Sequence, residues 1–92
     1  MDLNTIRKEI DKIDSELISM FSRRAEAALK IAKIKKAKNL AIFDAQREEA
    51  VLKKIEILSK KNGLDPCVMK QIYVLFMAHC RSLEKNKISR RI

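Results

Sequence analysis

Apolar residues recur every three or four positions along the first third of the chain, at Leu3, Ile6, Ile10, Ile13, Leu17, Met20, Ala27, Ile31 and Ile34, and Arg24 fills the one slot that breaks the series. That alternation puts all ten side chains on one face of an α-helix, so the pattern predicts a helix from about Leu3 to Lys38, on the order of 50 Å long. Asp2 or Asn4 can cap its start. Its end is expected at Lys38-Asn39, because asparagine tolerates the left-handed conformation of a C-terminal cap. Asp44 reads as the N-cap of a second helix that packs through Val51, Leu52, Ile55 and Leu58 and closes at Asn62-Gly63. Asp65 followed by Pro66 opens a third helix to about Asn86, with an apolar stripe of Met69, Ile72, Tyr73, Phe76, Cys80 and Leu83. The expected fold is all-α over 1–92: one long helix, two shorter ones, and a basic, frayed tail at 87–92.

The two later helices, each roughly 30 Å long, leave much of the long stripe uncovered in a single copy. Exposed apolar surface of that extent signals a partner. The expectation is an intertwined homodimer in which two long helices run against each other.

Composition supports a helical chain: of 92 residues 47% are apolar but only 4% aromatic, and a single Gly and a single Pro leave little turn chemistry for hairpins. The net charge of +9 fits nucleic acid, an anionic membrane or a cavity for a small anion. Few aromatics for base stacking, and an arginine inside the apolar stripe rather than on an outer face, argue against nucleic acid. No apolar run approaches the roughly 20 residues of a membrane span, and the N-terminal MDLNTIRKEIDKID has no signal-peptide core, so no membrane association and a cytoplasmic location are expected. Cys67 and Cys80, thirteen residues apart on one helix, are separated by roughly 20 Å and cannot bridge within the chain. With one histidine and no CxxC, no metal site is expected.

The polar residues that interrupt the apolar faces are the candidates for chemistry. Arg24 either folds its stem along the stripe toward water, pairs with a protein carboxylate, or meets an anionic ligand. Lys35 follows eleven residues later on nearly the same face, about 16 Å along the axis, close enough for both side chains to converge on one small ligand. Arg7 lies seventeen residues before Arg24, about 25 Å away and turned by roughly 100°. It either pairs on the surface with Asp11 or Asp14 or serves the site of a partner subunit. Stepping back from Val51 and Leu52 by three and four reaches Glu48 and then Asp44, with Arg47 beside them. Asp44 is also an ordinary helix cap. Glu84, four residues after Cys80, is either part of the same face or a solvated charge at the helix end. Four cations and three carboxylates suit a small polyanion that carries a hydroxyl. The chain has no nucleophile-base pair and no glycine-rich phosphate loop, so any catalysis should work by orientation and electrostatics.

In order and spacing, these residues resemble the all-helical, AroQ class of chorismate mutases. The likeness runs through IRKEIDKIDSELISMFSRRAEAALKIAKIKK on the long helix, IFDAQREEAVL at the second helix, and CRSLE near the end. The resemblance implies an intertwined dimer and a Claisen rearrangement of chorismate to prephenate, on the route to phenylalanine and tyrosine, with no cofactor or metal. It further implies that Arg24 and the partner's Arg7 grip the two substrate carboxylates, with Arg47 supporting the anionic end. Lys35 would bridge a carboxylate and the breaking ether oxygen, and Glu48 and the Asp44 region would receive the ring hydroxyl. Cys80 stands where bacterial members often place a serine near a carboxylate. Glu84 stands where they often place a glutamine that donates to the ether oxygen. Both departures bear on transition-state contacts, since a thiol is a weak donor and an ionised carboxylate is none. Isochorismate-pyruvate lyase is the alternative on the same scaffold, opposed by retention of Asp44 and Glu48. A non-catalytic helical binding module is the alternative from another class. No additional regulatory segment is read in the chain, so feedback inhibition is not expected of it alone.

Overall fold

A computed structural model describes residues 2–89, which form three α-helices: α1 (Leu3–Ala37), α2 (Ala45–Lys61) and α3 (Pro66–Ser89). The boundaries follow from local chemistry. The Asp2 carboxylate accepts from the Thr5 amide at 2.7 Å, Asp44 accepts from the Arg47 amide at 3.0 Å, and Asp65 accepts from Cys67 and Val68 ahead of Pro66, so each helix begins at an aspartate that satisfies orphan N–H groups. Asn39 and Gly63 adopt positive φ, 57° and 73°. Each is followed by an amide that reaches back to the helix, Leu40 to the Lys35 carbonyl at 2.8 Å and Leu64 to the Ser59 carbonyl at 2.9 Å. These are Schellman closures.

Helix α3 runs three residues past its expected end, because no Gly or Pro lies between Asn86 and Ser89 to stop it. The first residues of the basic tail thus continue the helix, and 90–92 lie outside the described residues. The packing face of α2 also differs at one position. Leu58, expected inside, is exposed, while Ser59 is buried and donates its hydroxyl to the Ile55 carbonyl at 2.6 Å.

Helix α3 packs against both α1 and α2, which do not pack on each other. Phe21 meets Phe76 at a ring separation of 4.6 Å on the α1 side. Lys70 reaches Glu56 at 3.5 Å on the α2 side. Little is enclosed by one chain: among the described residues Ala32, Met77 and Cys80 are the buried apolar ones. The protein is long and thin, 55 × 28 × 15 Å, with a radius of gyration of 16.4 Å where a compact chain of this length has about 12 Å. It exposes 7632 Å², against about 5,500 Å² for a compact monomer of its mass. Every residue from Leu3 to Met20 is exposed, including the apolar stripe, with Leu17 at 50%. No helix among the described residues is long and apolar enough to cross a membrane.

Candidate active site

Where α3 crosses both neighbours, the second half of α1, the loop before α2 and the first turns of α2 enclose a cleft of about 280 Å³. Seven of the sequence candidates line it: Arg24 and Lys35 from α1, Asp44, Arg47 and Glu48 at the start of α2, and Cys80 and Glu84 from α3. Ala27, Ala28, Ile31, Val51 and Met77 supply apolar walls. Arg7 is absent from this set and sits exposed on the N-terminal half of α1.

Each polar group has a distinct situation. The Arg24 guanidinium lies over two rings, 5.6 Å from the Tyr73 centroid and 5.3 Å from that of Phe76, and has no carboxylate partner among the described residues. Of the three fates open to it in sequence, the ion pair with a protein carboxylate is therefore not taken among the described residues. Lys35 donates to the Ile42 carbonyl at 2.9 Å, tying the end of α1 to the loop that precedes α2. One Asp44 oxygen is committed to capping, so the ordinary reading of this residue holds whatever else it does. Arg47 is exposed at the rim and Glu48 half-buried within.

Glu84 is buried, with 9% of its surface exposed, which excludes a solvated charge at a fraying end. Burial pushes its carboxyl above the usual carboxylate range; Lys35 and Arg81 oppose that rise and Glu48 adds to it. The Cys80 thiol is likewise raised by burial, with the Arg24 charge pulling against it and Glu84 pushing with it. A neutral thiol and a carboxyl drawn toward its protonated form thus stand beside cations.

Arg81 is a site residue that periodicity did not single out. It pairs with the Glu48 carboxylate across the α2–α3 junction and lies 5.1 Å above the Phe43 ring. A half-buried carboxylate on α2 needs a cation on the helix that faces it, and that requirement was the signal available in sequence. Once Glu48 has consumed the Arg81 charge, Arg24, Lys35 and Arg47 remain without carboxylate partners among the described residues. The cleft is therefore electropositive, apolar-walled and small, fit for a compact anion with more than one negative group. Among the described residues no group of three or more His, Cys, Asp or Glu is arranged to hold a metal ion.

A family model described as chorismate mutase type II matches residues 6–85. A chorismate mutase of Methanocaldococcus jannaschii is 30% identical over 84 residues, which cover 91% of this chain and 85% of that protein. A bifunctional chorismate mutase/prephenate dehydratase of Aquifex aeolicus is 38% identical over 88 residues, covering 92% of this chain but 24% of that protein. The T-protein of Haemophilus influenzae is 32% identical over 75 residues, 20% of its length. The chain thus spans about a quarter or less of these two longer relatives and most of the archaeal one.

Proposed function

This chain belongs to the chorismate mutase type II family, and on that premise we propose that it rearranges chorismate to prephenate, with Arg24, Lys35 and Glu84 as the groups that contact the reacting substrate. The observation that carries the reading is Arg24 itself: a half-buried guanidinium without a carboxylate partner among the described residues, opening into the same cleft as Lys35 and buried Glu84.

The rearrangement breaks a C–O bond and forms a C–C bond within one molecule, so no proton, electron pair or group leaves the substrate. The protein's task is to hold the enolpyruvyl side chain over the ring and to stabilise the negative charge that grows on the ether oxygen. Arg24 takes one carboxylate, and its stacking on Tyr73 and Phe76 fixes the guanidinium in advance. Lys35, at the far end of the same face, reaches a carboxylate and the ether oxygen once it leaves the Ile42 carbonyl. Glu84 donates to the ether oxygen in its protonated form, which burial favours. Glu48 and the Asp44 region accept the ring hydroxyl, Cys80 lies near a carboxylate, and Arg47 adds positive potential at the rim. The second carboxylate goes to Arg7 of a partner chain in a homodimer. Support for that assembly comes from the exposed α1 stripe, the excess surface, and the axial distance that keeps Arg7 out of its own chain's cleft. Two free thiols suit a reducing compartment such as the cytoplasm.

The test is steady-state loss of chorismate absorbance, with the product identified by its acid conversion to phenylpyruvate. Saturable turnover to prephenate is expected. Release of pyruvate and salicylate from isochorismate, or no turnover of either compound, would overturn the reading.

A further inference from the structure

Arg81 ties three elements together with one guanidinium. It projects from α3, pairs with Glu48 on α2, and sets its Cζ over the ring of Phe43 in the loop before α2, 5.1 Å from the ring centroid. The Arg81 and Glu48 side chains are 28% and 25% exposed, so the pair is shielded at the wall of the cleft. Only a planar, delocalised cation can offer a face to an aromatic ring while its edge N–H groups bond a carboxylate; a lysine in the same place must give up one of the two.

We propose that Arg81 is a positioning residue of the active site, acting through Glu48: it holds one carboxylate oxygen so that the other faces the substrate hydroxyl, while its contact with the exposed Phe43 ring steadies the guanidinium from the loop side. This inference rests on the chorismate reading given above. Glutamate has several rotatable bonds, and a free Glu48 side chain would have to be ordered each time substrate binds. With Oε2 committed to Arg81, that ordering is complete in the folded chain. The remaining carboxylate oxygen can only accept, so the substrate hydroxyl is fixed as the donor of that bond. Because the Arg81 charge is spent on Glu48, it does not duplicate Arg24, which has no such partner among the described residues. The consequence falls on substrate recognition more than on the rearrangement itself.

The test is a double-mutant cycle on chorismate kinetics with Arg81→Ala, Glu48→Ala and the double variant, beside a melting curve for each. Arg81→Ala is expected to raise KM about tenfold with kcat changed less than about threefold, and to add less than about twofold once Glu48 is already alanine. Arg81→Lys, which keeps the charge but cannot hold both contacts, should fall between wild type and alanine in KM. If Arg81→Ala does not fold, Arg81→Gln takes its place under the same non-additivity criterion. Equal losses with and without Glu48 would overturn the inference, and so would a fall in kcat at unchanged KM that follows the melting temperature. Those results leave the chorismate reading standing, whereas a wild-type protein that does not turn over chorismate removes both.

Discussion

Replacing Arg24 by alanine should cost far more activity than stability, and the structure sets both magnitudes. The guanidinium stacks on Tyr73 and Phe76 at 5.6 and 5.3 Å. Two part-exposed cation–π contacts of this kind are together worth about 1–2 kcal/mol. Removing a half-buried charge with no carboxylate partner relieves a desolvation cost that offsets part of the loss. The balance is a net loss near 1 kcal/mol, or about 4–8 °C in melting temperature. The missing guanidinium–carboxylate contact, by contrast, should lower kcat/KM by at least about 100-fold, some 2.7 kcal/mol of transition-state stabilisation. Melting followed by circular dichroism and chorismate kinetics well below both midpoints read the two effects separately. Retention of activity within tenfold of wild type would refute the reasoning. So would an unfolded fraction large enough to account for the loss.

For Glu84, kcat/KM should fall as pH rises through a folded-state pKa that lies above the ordinary carboxylate value, because only the protonated form donates to the ether oxygen. The groups facing it are Lys35, Arg81 and Glu48. Glu84→Gln should flatten the profile and raise activity at neutral pH; superimposable profiles between about pH 4.5 and 9 would show that Glu84 is not the donor. The same raised pKa means the folded wild type binds more protons than the unfolded chain and loses stability as pH rises from the ordinary carboxylate value through the raised one, so melting temperatures should show Glu84→Gln gaining stability relative to wild type across that window, and a constant difference would contradict it. Leu17→Glu places a charge at the middle of the exposed α1 stripe, where Leu17 is half exposed in one chain. Sedimentation should show a shift to monomer with loss of activity, and an active dimer of this variant would contradict the proposed interface.

Helix limits were legible because each rests on one residue's local chemistry. Asp2, Asp44 and Asp65 cap starts, while Asn39 and Gly63 supply the positive φ of the stops. The end of α3 was not legible, since frayed and helical continuations of a polar segment share the same residues. Arg24, Lys35, Glu48 and Glu84 stood out as charges on apolar faces and meet in one cleft. Arg81 did not stand out. It follows Cys80 by one residue, so it points about 100° away from that stripe, toward a helix whose position no periodicity could supply. Leu58 was not legible for a similar reason: the boundary of a buried face depends on how α3 lies on α2, and Ser59 is buried in its place at little cost because its hydroxyl bonds within its own helix. The partner of the α1 stripe was legible only as a need, through apolar residues that nothing in one chain covers.

Mixing two inactive variants tests the central claim, a chorismate-rearranging cleft completed by a second chain, most directly. Arg7→Ala and Arg24→Ala are each expected to lose activity in homodimers. Co-refolded in equal amounts, half of the dimers are mixed, and one of the two sites in each mixed dimer carries both arginines, so about a quarter of the wild-type activity should return. Heterodimers that form, as shown by differently tagged chains purified together, and yet remain as inactive as their parents would contradict the shared site.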